Sequence, residues 1–192
     1  MELLAKESPI IQKIIKETLS SVVGEERAES IFNTFMLDGG RLDELVHTMT
    51  TLLKNAGYIN ELNTFVEKLN DRFAENVKVS VFPEKVSLPR HLSEDVSVVI
   101  ENNFDIPLVF TVILEDKDNF LDIIYEKRQE IYTNSAGQEA IIDSNEEGRF
   151  KFKLFNAKDY GMVLTTLFVI VRSREVEGLN IIKKIQIDVL AE

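Results

Sequence analysis

Apolar positions recur along residues 8–73 at intervals of three and four, the spacing that lines one face of a helix. Ser8-Pro9 begins the first run: a serine hydroxyl accepts from an orphaned backbone N–H, and proline is tolerated in a first helical turn. Ile11, Ile14, Ile15, Thr18, Leu19 and Val22 follow in register, and Gly24 punctuates. Glu25 and Glu26 then sit where the positive end of a second helix favours acid. Its stripe is Ala28, Ile31, Phe32, Phe35 and Met36, and Asp38-Gly39-Gly40 ends it, since glycine takes the left-handed turn at no steric cost. A third stripe runs Leu42, Leu45, Val46, Met49, Leu52, Leu53 and Ala56. A fourth runs Ile59, Leu62, Phe65, Val66, Leu69 and Phe73. Extending the third register reaches Asn63 where the fourth uses Leu62, so the spacing favours a break near Gly57 over one long helix that shifts phase.

At Val77 the period changes from helical to alternating. Val77, Val79 and Val81 alternate with Lys78 and Ser80, then Pro83 interrupts before Val86 and Leu88. Val96, Val98 and Ile100 follow, and Leu108–Leu114 and Phe120–Tyr125 are further strand candidates. Ala140–Asp143 is a weaker one. Phe150, Phe152 and Leu154 alternate with lysines, and Met162–Val171 and Leu179–Leu190 complete the set. Seven or eight short strands separated by Gly, Pro, Asn and Asp turns read as an antiparallel sandwich.

Val81-Phe82-Pro83-Glu84-Lys85-Val86-Ser87-Leu88, followed by Val96-Ser97-Val98-Val99-Ile100-Glu101-Asn102, resembles the opening of an immunoglobulin-like domain. The type is that found in prokaryotic cell-surface and multidomain proteins and in adaptor appendages. The resemblance covers about residues 77–190 and rests on strand periodicity plus one Pro and one Asn. The chain lacks the Cys pair and core Trp of antibody-type domains, and Asp159-Tyr160-Gly161 departs from the usual tyrosine corner. What the resemblance implies is a fold that commonly binds proteins or glycans, and no particular function. The expected fold class is α+β by segregation: a four-helix module over residues 1–76, for docking or oligomerisation, then a seven- to eight-stranded antiparallel immunoglobulin-like β-sandwich over 77–192.

Two strands depart from the alternation a sandwich requires. Leu108, Phe110, Val112 and Leu114 share one face, but Val109 and Ile113 occupy the other. Val163, Leu167, Val169 and Val171 likewise oppose Leu164, Phe168 and Ile170. In an immunoglobulin-like topology these strands are neighbours, and their second faces would merge into one apolar patch. Large exposed patches usually mark interfaces, so Val109, Ile113, Leu164, Phe168 and Ile170 are the candidate contact residues. The helical module, a second copy of the chain or a foreign partner are the three candidate covers. The helical seams at 42–56 and 59–73 pose the same choice between closing on each other and pairing elsewhere.

Charge and composition narrow the function classes. Net charge is −11, with 13 Asp+Glu against 8 Lys+Arg through residue 76 and 20 against 14 beyond it. Neither part carries the basic footprint of phosphate recognition, which argues against nucleic acid as a partner. The absence of cysteine removes disulfides, thiolate metal sites and Cys nucleophiles, and fits a reducing cytoplasm. No run reaches the ~18 apolar residues of a membrane span, and the acidic start of the chain is unlike a signal peptide.

Catalytic and metal motifs are sparse. Glu44-Leu45-Val46-His47 matches Glu-x-x-His, but a di-iron site needs a second such pair, and His91 is the only other histidine. Residues Glu115–Asp122 are acidic like a calcium loop, yet Phe120 and Leu121 stand where an oxygen ligand and Gly are required. Neither a cofactor nor a metal site is expected. The sequence therefore reads as a non-catalytic interaction, scaffold or adaptor protein, with a protein partner or itself as partner. A small-molecule or glycan-binding sandwich is the alternative, and an enzyme built on converging carboxylates is a third class.

Overall fold

The structure, a computed structural model, describes residues 3–125, 132–134, 137–156 and 163–190. The Asp159-Tyr160-Gly161 turn lies outside them. Four α-helices precede ten strands among the described residues: α1 (Pro9–Val23), α2 (Glu25–Leu37), α3 (Leu45–Asn55), α4 (Leu62–Ala74), β1 (Val77–Phe82), β2 (Lys85–Leu88), β3 (Ser93–Asn102), β4 (Leu108–Asp116), β5 (Asp122–Tyr125), β6 (Tyr132–Asn134), β7 (Gly137–Ile142), β8 (Glu146–Phe155), β9 (Val163–Ser173) and β10 (Asn180–Val189).

The helices follow their local signals. The Ser8 hydroxyl accepts from the Ile11 N–H at 3.1 Å and Pro9 opens α1, while α3 and α4 separate around Gly57 as expected, so the one-long-helix alternative fails. α1 packs on α2 and α4, and α3 on α2 and α4, so the 42–56 and 59–73 seams close within the chain. Ile59 is a correction: it precedes α4 and is exposed.

Strands form a β-sandwich. A four-stranded sheet has the order β1-β3-β8-β5, and a six-stranded sheet the order β2-β10-β9-β4-β7-β6. The count exceeds the seven or eight expected, and one pair, β2 with β10, is parallel. Proline lacks the N–H a ladder needs; at Pro83 the chain leaves β3, passes to the other sheet and lies beside β10. The expected 120–125 strand begins two residues late. The Asp116 carboxylate accepts from the N–H groups of Phe120 and Leu121, at 2.7 and 2.8 Å, and folds both into the preceding turn.

The two halves of the chain meet at one end of the sandwich. Phe73 of α4 packs edge-on against Phe104 in the β3–β4 loop, ring centroids 6.0 Å apart. Val176 and Leu179 of the β9–β10 loop are buried, and Gly178 between them, at φ 99°, runs so close to α3 that a Cβ would lie 2.9 Å from Val46. The buried apolar residues of helices and sheets form one continuous cluster.

Two loop carboxylates fasten this end. Asp105, in the β3–β4 loop, accepts from the Ile10 N–H at 3.1 Å and from the Ser8 hydroxyl, at the positive end of α1. Glu177, in the β9–β10 loop, accepts from the His47 N–H at 3.1 Å in the first turn of α3, and its own N–H donates to the Leu42 carbonyl. The first loop is held from beneath by Asn102, which is fully buried. Its amide donates to the carbonyls of Ile106 and Ile142 and its oxygen accepts from the Phe104 N–H.

Asp105→Ala is expected to lower unfolding free energy by about 2 kcal/mol, the value of hydrogen bonds to a charged group, and Glu177→Ala by about 1 kcal/mol, a typical helix-cap loss. Asn102→Leu, which leaves buried carbonyls and an N–H unmatched, is expected to cost about 3 kcal/mol or more. Urea unfolding of the three variants checks the order; Asn102→Leu as stable as wild type would contradict it.

Candidate interaction surface

Neighbouring residues across an antiparallel pair share a face, so the register of the six-stranded sheet fixes what its outer face presents. β4 and β9 are neighbours, with Ile113 opposite Ile170, and β9 pairs with β10 so that Ile170 lies opposite Ile182. Three isoleucines on three adjacent strands thus form one row. Ile182 is 52% exposed, while Ile113 and Ile170 are half-buried.

The rows on either side are different. One level toward the helical end, Glu139, Thr111, Arg172 and Asn180 align across four strands. Thr111 donates to Glu139 at 3.1 Å and Arg172 to Asn180 at 3.3 Å. One level the other way, Phe168 stands between Glu115 and Lys184, with the ammonium groups of Lys117 and Lys184 4.7 and 5.6 Å from its ring centre. These are cation–π distances.

The five residues expected to form one patch are therefore distributed. Ile113 and Ile170 adjoin. Val109 lies beyond the polar row, opposite Ile141, which is 68% exposed. Leu164 lies six residues along β9 from Ile170, roughly 20 Å at strand rise, and is 65% exposed. The merged patch is corrected to a striped face, because Thr111 and Thr166 interrupt the apolar positions on β4 and β9.

The helical module does not cover this face. α4 meets the first residues of β1 and β10, and the helices make no comparable contact with β4 or β9. Two contributors were missed in the sequence. Ile182 falls on the side of the last strand that reads as polar through Lys184, Gln186 and Asp188, and Ile141 falls in a strand too short to show its period.

A cleft of about 520 Å³ opens where β1 and β10 run side by side, lined by Val79, Phe82, Leu164, Lys183 and Lys184 among others. Phe82 is 57% exposed there. By alternation Lys183 falls on the same side of β10 as Ile181 and Ile185, but it is exposed at the cleft.

Titration shifts occur elsewhere. The Arg41 hydrogen bonds hold the Asp43 carboxyl below its usual range, the Glu101 carboxylate raises the Lys78 ammonium, and burial raises the Tyr125 hydroxyl. Lys78 and Tyr125 sit on opposite edge strands of the four-stranded sheet, and Asp43 lies ahead of α3, so the three do not share a site. Glu44 and His47 belong to the α3 entry, where the His47 N–H is taken by Glu177. Among the described residues no cluster of three metal-ligating side chains occurs, and no helix is long and apolar enough to cross a membrane.

No family model matches the chain, and no curated protein matches it. Among solved structures, a family 123 glycoside hydrolase from Clostridium perfringens aligns at 10% identity and TM-score 0.45, over 61% of this chain and 27% of that one. The chain thus spans about a quarter of the hydrolase. A FixG-related protein from Vibrio parahaemolyticus aligns at 12% identity and TM-score 0.45, over 59% and 95% respectively. The periplasmic chaperone SfaE aligns at 12% and 0.38, over 60% and 58%.

Proposed function

We propose that this chain is a non-catalytic protein-interaction module, with the helical end as a fixed base and the outer face of the six-stranded sheet as the contact surface with a second copy. The Ile113–Ile170–Ile182 row carries the reading: apolar surface left in water costs ~25 cal/mol per Å², and nothing else in the described chain lies over it.

A two-fold axis running along the row sets each flanking level against the other. It lays the row of one copy on the same row of the other and brings the Arg172 level of one against the Phe168 level of its partner. Arg172 then meets a level that holds Glu115 and, beside the Phe168 ring, Lys117 and Lys184. The alternative axis, along the strands, sets Arg172 against Arg172 and is disfavoured by like charge.

Sedimentation across a concentration series tests this. Wild type is expected to dimerise below about 100 μM, and Ile182→Asp to weaken the dimer at least about tenfold. Ile182 is exposed, so melting temperature measured on dilute monomer should stay within about 2 °C. A wild-type chain that stays monomeric throughout overturns the reading.

A further inference from the structure

The backbone edge of β10 is covered at its two ends and open between them. β2 covers one end, where the N–H groups of Gln186 and Leu190 donate to the carbonyls of Glu84 and Leu88. The helices cover the other, where the Asn180 N–H donates to the Asn70 side chain at 2.8 Å. These three N–H groups belong to even-numbered residues, and backbone direction alternates along a strand. The N–H and C=O groups of Ile182 and Lys184 therefore point to the same edge, and no described residue meets them.

The cleft lies against this opening, and β1, paired only with β3, forms its other wall. Lys183, on the inward side of β10 by alternation, is exposed at its mouth. Lys85 pairs with Asp188 at 2.9 Å and Lys184 lies over Phe168, but Lys183 has neither kind of partner among the described residues. An inward lysine on an edge strand deters pairing with a second lysine-bearing edge. Two copies of β10 laid edge to edge would oppose Lys183 and Lys184 with themselves. An incoming strand with an acid at that position gains an ion pair instead.

We infer that the open stretch of β10 accepts an extended, acidic segment of another protein as an added strand. Main-chain hydrogen bonds form to Ile182 and Lys184, an acidic side chain of the segment meets Lys183, and an apolar one lies beside Ile182 on the outer face. The site differs from the two-fold contact in using the backbone edge, and the two share the Ile182 side chain.

The test uses the full chain and three labelled eight-residue probes: alternating Val-Glu, alternating Val-Lys, and Val-Glu with a central proline. The Val-Glu peptide is expected to slow amide exchange at Ile182 and Lys184 and to bind at least about tenfold more tightly than either other probe. Lys183→Glu should reverse the charge preference, and Lys183→Gln should abolish it with the melting temperature retained. Overturning results are no slowing at these two amides, equal binding of the proline-containing probe, or a charge preference unchanged in both Lys183 variants. Slowing of the same amides by the chain alone as concentration rises would assign the edge to a second copy and also overturn the inference. A monomeric wild type that still takes the Val-Glu strand removes the two-fold contact and leaves this site standing.

Discussion

Asp105 joins the two halves of the molecule. Its carboxylate sits at the positive end of α1, takes one backbone N–H and receives the Ser8 hydroxyl that itself caps the helix. The contact depends on a loop held in one shape from below, because Asn102 ties the strand before it to the carbonyls around it. The same loop delivers Phe104 to Phe73, so one buried amide positions both the polar and the apolar fastening. Glu177 repeats the arrangement at α3 from the β9–β10 loop. With both loops occupied, the helices are committed to the end of the sandwich and leave its broad outer face open.

That open face owes its character to register rather than to composition. Single strands β4 and β9 carry apolar residues on both sides, but pairing sorts those outer residues into levels. The isoleucine level lies between one of hydrogen-bonded polar groups and one where lysines flank a phenylalanine. Such striping limits the continuous apolar area and gives the surface orientation, since the flanking charges differ on its two sides. β10 contributes twice, through the Ile182 side chain and through the backbone groups of Ile182 and Lys184 that no described residue meets.

Features set by neighbours in sequence were legible before any fold was known. The Ser8-Pro9 helix start, the breaks at Gly24 and Gly57, and the inward faces of the long strands all follow from spacing and local chemistry. The β-sandwich itself was legible too, as a change of period at Val77. What required three dimensions was pairing. Ile182 looks like an irregularity in a polar face until β9 places it beside Ile170, and Thr111 looks incidental until Arg172 aligns with it. The helix caps were hidden for a stronger reason: Asp105 and Ser8 are 97 residues apart, and a capping acid at that separation leaves no local pattern. Of the three candidate covers for the apolar strands, the helical module is the one that these contacts turn away from that face.

The central claim is that the loop contacts couple helices and sandwich into one cooperative unit. Native-state hydrogen exchange at increasing denaturant tests it most directly, because it resolves opening free energies segment by segment. The account predicts that the slowest amides of α1, α3, β3 and β9 converge on a single global opening. Helical amides that exchange through a separate opening, several kcal/mol below that of the strands, would contradict it.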